Sequence, residues 1–194
     1  MISSKPKIAI FASGTGSNAR AIIEYSENSN FDVALIVSNK EKAGVLQYAE
    51  EYDIDALVID RENFYNSEII VDFLKGNKIE LIILAGFLWL VPHYFIKAFP
   101  DRIINIHPSL LPKYGGKGMY GINVHQAVFE VKEKESGLTI HLVNNEYDKG
   151  EILLQKTIDI SSEKDAESIG EKILQQEHKL FPQTIEKYIS KIGF

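Results

Sequence analysis

Short apolar runs alternate with helix-like segments along the first hundred residues, and this alternation constrains the fold more than any other feature. The predicted strands span 7–12, 32–38, 56–60, 80–85 and 102–106, and the predicted helices span 18–27, 42–52, 66–77 and 92–99. The strands are apolar throughout rather than alternating, which is typical of a parallel sheet covered by helices on both faces. The pattern therefore predicts an α/β fold.

The pattern changes after residue 106. A loop rich in proline and glycine spans 107–121 and leads to a predicted helix over 122–132. Two further strands over 137–143 and 152–160 and a long helix over 165–191 complete the chain. The sequence contains no repeat, low-complexity tract or linker-like segment, so we expect a single domain over 1–194.

Composition restricts the class of protein. With 194 residues, 45% of them hydrophobic, the chain can bury a substantial core, and the absence of cysteine excludes disulfides, cysteine-based zinc sites and a cysteine nucleophile. A net charge of −6 argues against nucleic acid as a partner. The longest apolar segment, 81–91, is too short to cross a membrane, and no signal peptide is recognisable. We therefore expect a cytoplasmic protein that binds small molecules, without a membrane or nucleic acid partner.

A glycine-spaced turn follows the first predicted strand. Gly14, Gly16 and Ala19 match the dinucleotide pattern G-x-G-x-x-G/A, which makes a nicotinamide or flavin one candidate ligand. That pattern also needs an acidic residue at the end of the second strand. The second strand ends in Ser38, whereas its acidic residue, Asp32, stands at the opposite end. The sequence therefore disfavours a dinucleotide.

The same turn can instead hold a single phosphate. Ser17 and Asn18 give the predicted helix a polar start, where free backbone N–H groups and the helix dipole attract an anion. In a second interpretation the turn only joins a strand to a helix and binds nothing. Two glycines followed by Ser17 and Asn18 exceed what a simple helix cap requires, which favours the phosphate.

Two polar residues end the fifth predicted strand. Asn105 and His107 are two residues apart, so in an extended segment their side chains point the same way. An amide donor beside an imidazole suits acyl chemistry, in which a carbonyl oxygen gains charge and a proton leaves the attacking amine. A structural histidine at the strand end is the alternative, and the spacing alone does not exclude it.

The loop over 144–150 is the third polar feature. Asn, Asp and Gly collect in such loops because they tolerate turn conformations. Asp148 is therefore either a turn residue or a carboxylate that orients His107, and the residues alone leave both interpretations open.

Five segments together carry a resemblance to a known family. They are FASGTGSN (11–18), LAGF (84–87), NIHPSLLPKY (105–114), HLVNNEYDKGEILLQ (141–155) and QEHKLFP (176–182). They closely resemble the folate-dependent glycinamide ribonucleotide formyltransferases of purine synthesis, over nearly the whole chain. The resemblance implies a Rossmann-like formyltransferase fold, with a mostly parallel sheet, a C-terminal antiparallel extension and a long terminal helix. It also implies a phosphate-binding half over about 1–100 and a catalytic, folate-binding half over about 101–194.

The implied reaction is transfer of a formyl group from 10-formyltetrahydrofolate to the amino group of glycinamide ribonucleotide. The resemblance assigns Asn105, His107 and Asp148 to catalysis. Asn105 would hold the formyl oxygen, His107 would donate to that oxygen or move the proton of the amine, and Asp148 would orient His107. No metal, nicotinamide or flavin is expected, and the expected state is a monomer or a homodimer.

The resemblance also implies binding residues. Gly16, Ser17 and Asn18 match the phosphate turn, and Glu177 matches a residue that holds the ribose hydroxyls. The folate pocket would be lined by Leu88, Trp89, Leu90, Val91, Asn105, Asn144, Asn145, Glu146, Tyr147 and Asp148.

The chain departs from the family at two positions and in the loop over 114–121, which is longer and richer in glycine than the short Pro-Gly form of the family. Trp89 and Ser67 stand where basic residues are common, so Arg61, Lys113 and Lys117 become the candidates for contacting the glutamate tail of the folate.

Rival functions are a 10-formyltetrahydrofolate deformylase, a tRNA-directed formyltransferase and a non-catalytic phosphate-binding α/β domain. The absence of additional domains and the acidic charge disfavour the first two, because the deformylase carries an extra N-terminal domain and the tRNA-directed enzymes have a C-terminal domain and a basic surface.

Overall fold

A single seven-stranded sheet forms the centre of the molecule in a computed structural model, which describes residues 5–193. The strands are β1 (Lys7–Ala12), β2 (Asp32–Ser38), β3 (Asp55–Val58), β4 (Ile79–Leu84), β5 (Ile103–His107), β6 (Glu135–Leu142) and β7 (Ile152–Asp159). Their order in the sheet is β3-β2-β1-β4-β5-β6-β7. The first five strands in the chain pair in parallel, and β6 and β7 add an antiparallel extension.

Seven helices cover the two faces of the sheet within the described residues. They are α1 (Ser17–Ser26), α2 (Val45–Glu51), α3 (Arg61–Asn66), α4 (Ile69–Gly76), α5 (His93–Ala98), α6 (Ile122–Glu130) and α7 (Ala166–Ile192). One core cluster joins the sheet to α1, α2, α6 and α7, and the other joins it to α3, α4 and α5. Successive residues of β1 enter opposite clusters, which explains why its sequence is apolar throughout.

The strand order reverses between β1 and β4. The chain leaves β1 toward β2 and β3 on one side, and it returns through β4 and β5 on the other. Loops that follow the carboxyl ends of these parallel strands diverge there and leave a crevice, which is where open α/β sheets bind ligands.

The structure confirms the predicted fold class, and two strands, β1 and β2, have the predicted bounds. The predicted helix 66–77 is wrong in its first turn, because Ser67 is extended with φ −145° and ψ 147°. The chain instead forms the separate short helix α3 before this break. Asp60 caps α3 by accepting a 2.9 Å hydrogen bond from the backbone N–H of Asn63.

The long helix α7 packs along the sheet and against α1 and α6. Its N-terminus has a capping box in which Asp165 and Ser168 exchange side-chain to backbone hydrogen bonds. Over residues 5–193, none of the helices combines the length and the apolar character needed to cross a membrane.

Candidate active site

Three loops meet at the carboxyl edge of the sheet beside the β1–β4 junction. Residues 13–16 follow β1, residues 85–92 follow β4 and residues 108–121 follow β5. Ser13 ties the first two loops together, because its Oγ accepts a 2.9 Å hydrogen bond from the backbone N–H of Leu88. The predicted phosphate turn, folate wall and catalytic strand end therefore share one edge.

Asn105 is held by a histidine on the neighbouring strand. Its Nδ2 lies 3.1 Å from Nε2 of His141, which stands opposite Asn105 in the β5–β6 register. The other ring nitrogen of His141, Nδ1, lies 2.8 Å from the carbonyl oxygen of Leu142, which can only accept. Nδ1 of His141 is therefore the protonated nitrogen, and Nε2 accepts one amide N–H of Asn105. The second N–H of that amide remains available to a ligand.

His107 is buried and fixed in one tautomer. Its Nε2 lies 2.8 Å from the carbonyl oxygen of Tyr114, so Nε2 carries the proton and Nδ1 is the basic nitrogen of the neutral ring. Burial lowers the pKa of His107 below its usual value, while Asp148 and the Tyr114 carbonyl act in the opposite direction. At neutral pH the ring is therefore a neutral base.

Asp148 lies between the two histidines. Its Oδ2 is 3.7 Å from Nδ1 of His107, and its Oδ1 is 3.6 Å from Nε2 of His141. Burial raises the pKa of this carboxyl, but His141, the backbone N–H of Gly116 and the nearby His107 together hold it below its usual range. The site thus places an ionised carboxylate beside a neutral base.

The turn before α1 has the geometry expected of an anion site. Gly16 is the N-cap residue with φ 81°, and no side chain caps the helix. A Cβ at this position would also lie 2.6 Å from Cβ of Val45, so only glycine fits. The uncapped N–H groups at the start of this ten-residue helix, with Ser17 only half-buried among them, are free to bind an anion.

Asn18 and Glu177 are brought together across the α1–α7 contact. The Asn18 amide donates a 2.7 Å hydrogen bond to Oε2 of Glu177, and Oδ1 of Asn18 is buried without a partner among the described residues. Burial raises the pKa of Glu177, with the Asn18 bond acting in the opposite direction. Two predicted acceptor-binding residues therefore form a single polar unit beside the turn.

An aromatic cluster supports the predicted folate wall after β4. The Trp89 ring packs against the rings of Phe64 and Tyr65, with centroids 5.6 and 6.0 Å apart. Leu88 is 43% exposed, whereas Val91 is buried in the core. Leu90 is half-buried. Leu88 and Trp89 therefore offer apolar surface at the crevice, while Val91 anchors the segment.

Arg61, one of the three candidate basic residues, lies beside the aromatic cluster. Its guanidinium is 5.1 Å from the ring centroid of Tyr65 and 5.9 Å from that of Trp89. Lys113 is instead paired with Glu133 at 3.1 Å, on the outside of another loop. The aromatic rings thus hold a cation at the rim of the pocket.

The loop over 144–148 is the second predicted side of the folate pocket. Asn144 folds it locally, accepting from the N–H of Glu146 and donating to the carbonyl of Lys149. Asn145 Oδ1 lies 2.8 Å from Nδ1 of His93, at the start of α5. Glu146 is paired with Lys149 and exposed, and Tyr147 is exposed, so both side chains are largely open to solvent.

A model of the formyl transferase family matches residues 6–185, which include every residue of this site. The chain belongs to the formyl transferase family. Membership implies a formyl donor derived from folate, and it confirms the family resemblance read from the sequence.

Relatives and solved structures of this family match the chain closely. The chain is 43% identical to phosphoribosylglycinamide formyltransferase, chloroplastic, of Arabidopsis thaliana, over 93% of this chain and 64% of that protein. It is 35% identical to phosphoribosylglycinamide formyltransferase of Bacillus subtilis, over 94% of both. Glycinamide ribonucleotide transformylase 1 from Symbiobacterium toebii superposes with a TM-score of 0.88 at 30% identity, over 97% of this chain and 90% of that one. The chain thus spans less than two thirds of the plant protein but nearly all of the bacterial one.

Sequence reasoning missed several groups that lie against the predicted catalytic residues. His141 lies within one of the family motifs but had no predicted role, although a histidine in the strand next to Asn105 was the available signal. The carbonyl of Tyr114 contacts His107, and the N–H of Gly116 contacts Asp148. Such backbone contacts cannot be predicted from residue type. His125, on α6, is a third buried histidine, whose pKa is lowered by burial and, to a smaller extent, by His107.

Proposed function

We propose that this chain transfers a formyl group from 10-formyltetrahydrofolate to the amino group of glycinamide ribonucleotide. The observation that carries the proposal is the shared location of two groups of residues at the β1–β4 edge. One group is the uncapped turn with Asn18 and Glu177, which suits a phosphorylated ribose. The other is the linked set of Asn105, His107 and Asp148, which suits acyl transfer.

On the acceptor side, the phosphate would sit at the N-terminus of α1. Its charge is matched there by the helix dipole and by unpaired N–H groups, with Ser17 as an additional donor. Glu177 would accept from the ribose hydroxyls, because a carboxylate offers lone pairs beyond the one that Asn18 uses. The acceptor would thereby be held by its phosphate and its ribose, leaving its amino group free to react.

On the donor side, the pterin would lie between the 88–91 segment and the 144–148 loop. Apolar side chains and backbone polar groups are suited to a flat heterocycle of this kind. Arg61 at the rim would face the carboxylates of the donor's glutamate tail. Family membership supports a folate donor, and its 10-formyl form supplies the group to be transferred.

The chemistry follows from the atoms that remain free. The acceptor nitrogen attacks the formyl carbon, a new C–N bond forms, and the carbonyl electron pair moves onto oxygen. The second N–H of Asn105 donates to that oxygen as it gains charge. Nδ1 of His107 takes the proton of the amine, and the ionised Asp148 stabilises the resulting imidazolium. Collapse of the intermediate breaks the bond to N10 of the folate, and N10 takes the proton held by His107, which returns the ring to its neutral form.

The test separates transfer from hydrolysis. Protein is mixed with 10-formyltetrahydrofolate, with and without glycinamide ribonucleotide, while tetrahydrofolate is followed by absorbance and formate is assayed. The acceptor would be held by the phosphate turn and by Glu177, whereas neither group would hold water. Turnover should therefore depend on the ribonucleotide and release almost no formate. Equal consumption without the ribonucleotide, with accumulation of formate, would establish a hydrolase. No consumption in either mixture would contradict catalysis altogether.

A further inference from the structure

The segment Tyr114–Gly116 contacts both His107 and Asp148 through its backbone. The Tyr114 carbonyl accepts from Nε2 of His107 at 2.8 Å, and the Gly116 N–H donates to Oδ2 of Asp148 at 2.8 Å. The direct approach of the two side chains to each other is longer, at 3.7 Å. The backbone of this loop, more than their mutual contact, therefore fixes where the two groups lie.

The close approach of the loop requires its glycines. A Cβ at Gly115 would lie 2.6 Å from Cδ2 of Leu111 and 3.3 Å from Cβ of Asp148. Gly116 has φ +93°, a conformation that residues with a side chain rarely adopt. Gly115 thus lets the backbone lie close to Asp148, and Gly116 permits the positive-φ conformation in which its N–H contacts the carboxylate.

The segment is also anchored on both of its sides. On the outer side, the Tyr114 hydroxyl and Nζ of Lys113 both donate to Oε1 of Glu133, at 3.0 and 3.1 Å. On the inner side, the fully buried Ser109 donates a 2.7 Å hydrogen bond to the carbonyl of Lys113. These contacts hold the backbone of the loop against the site.

Asp148 depends on this support. It has φ 55°, a left-handed conformation that is uncommon for a residue other than glycine. Across residues 5–193, the bond from Gly116 is the one hydrogen bond within 3.5 Å that its carboxylate accepts. Without that bond the carboxylate would have only the two longer histidine contacts to orient it.

We propose that Tyr114–Gly116 is a positioning segment for formyl transfer. Its backbone sets the separation of His107 and Asp148, and it holds His107 with the proton on Nε2 so that Nδ1 exchanges protons with the substrate. The effect on catalysis rests on the proposed function, whereas the effect on His107 itself does not.

Gly116→Ala tests the proposal, with Gly118→Ala as the matched control. Gly118 lies in the same loop with φ +89°, and at both positions a Cβ would meet nothing within 4 Å. The two substitutions therefore impose similar backbone strain, but only Gly116 contacts Asp148. We expect Gly116→Ala to lower kcat about ten- to a hundredfold, because small displacements of a catalytic group have effects of this size. Gly118→Ala should retain activity close to wild type.

The titration of His107, followed by NMR, provides a readout that does not need activity. Asp148 and the Tyr114 carbonyl favour the protonated ring, whereas burial and His141 disfavour it, and His125 is the other titratable neighbour. Displacing the loop removes favourable contacts, so the midpoint of His107 should fall to lower pH in Gly116→Ala and stay unchanged in Gly118→Ala. His107→Gln assigns the resonance.

Tyr114→Phe provides an independent variant that leaves the glycines intact. It removes the hydroxyl contact with Glu133, so we expect a smaller shift of the His107 midpoint in the same direction. Equal effects of the Gly116 and Gly118 substitutions, or an unchanged His107 midpoint in both Gly116→Ala and Tyr114→Phe, would overturn the proposal. A wild-type protein that transfers no formyl group would overturn the proposed function alone, because the titrations would still measure the positioning of His107.

Discussion

Asn18 and Glu177, 159 residues apart in sequence, are joined by a 2.7 Å hydrogen bond between their side chains. Asn18 lies in the first turn of α1, beside the phosphate turn, and Glu177 lies inside α7. A ligand that binds the turn therefore lies close to the Glu177 carboxylate, whose position is already fixed by its hydrogen bond with Asn18. This link makes the proposed acceptor site a preformed unit.

Replacing Glu177 with glutamine tests that unit. The glutamine side chain would keep the shape of the glutamate and could still accept from Asn18, but the change removes a charge at a carboxyl whose pKa is raised by burial. We expect thermal stability to be maintained or increased, and the KM for the ribonucleotide to rise about tenfold through loss of charged hydrogen bonds to the ribose. Glu186→Gln, on the same helix but bonded to Tyr25, is the control and should leave this KM unchanged. An unchanged KM in Glu177→Gln would remove Glu177 from acceptor binding.

The pH dependence of kcat/KM distinguishes two roles for His107. Its pKa is lowered, chiefly by burial, so the neutral ring predominates above a pH that lies below 6.5. If Nδ1 is the general base, kcat/KM should rise with pH through that pKa and then level off. A profile that falls as pH rises through the same range would instead identify His107 as the proton donor to the formyl oxygen.

His107 and Asp148 should act as a pair. His107→Ala and Asp148→Asn should each lower kcat by roughly two to four orders of magnitude, while folate binding measured by calorimetry is largely retained. Because each residue needs the other, the double variant should be little slower than the slower single variant. Additive losses in log kcat would show that the two side chains work independently.

Arg61 should contribute to donor binding through its charge. Its position over Tyr65 and Trp89 leaves the guanidinium exposed at the rim of the pocket. We expect Arg61→Ala to raise the KM of the folate up to about fivefold, less so at high salt, because exposed charge pairs are worth little and are screened. Lys117→Ala, in the glycine-rich loop, is the comparison. A larger effect from Lys117→Ala would transfer the role to that residue.

The fold could be predicted because its signal is local. Strands β1 and β2 are mostly apolar on both faces, so their bounds could be predicted from the sequence. Helix α3 was missed because six residues are too few to establish a helical period, and its clearest mark is the cap at Asp60.

The site was only partly predictable. The spacing of Asn105 and His107 in a strand predicted only that their side chains point the same way, whereas the catalytic roles predicted for them and for Asp148 needed the family resemblance. The contact of His141 with Asn105 depends on the antiparallel register of β5 and β6, which the sequence does not specify. The contacts of the Tyr114 carbonyl and the Gly116 N–H cannot be predicted from residue types, because nearly every residue carries the same backbone groups.

His125 should make the protein sensitive to acid. It is 7% exposed, its Nδ1 has no partner among the described residues, and burial, with a smaller effect of His107, lowers its pKa to about 4. Gly170 on α7 makes room for the ring, since a Cβ there would lie 2.9 Å from Cδ2 of His125. The ring is therefore packed as a neutral group.

The sign of the effect follows from linkage. The unfolded chain binds a proton at His125 below pH 6.5, whereas the folded chain does so only below about pH 4. Above pH 6.5, His125 is neutral in both states and does not reduce the free energy of unfolding. As pH falls from 6.5 toward 4, protonation of the unfolded chain lowers the free energy of unfolding by about 3 kcal/mol. Urea unfolding at pH 7, 5.5 and 4.5 should show that the free energy of unfolding falls less with decreasing pH in His125→Gln than in wild type. His93→Gln, which removes an exposed imidazole, is the control, and parallel curves for wild type and His125→Gln would contradict the prediction.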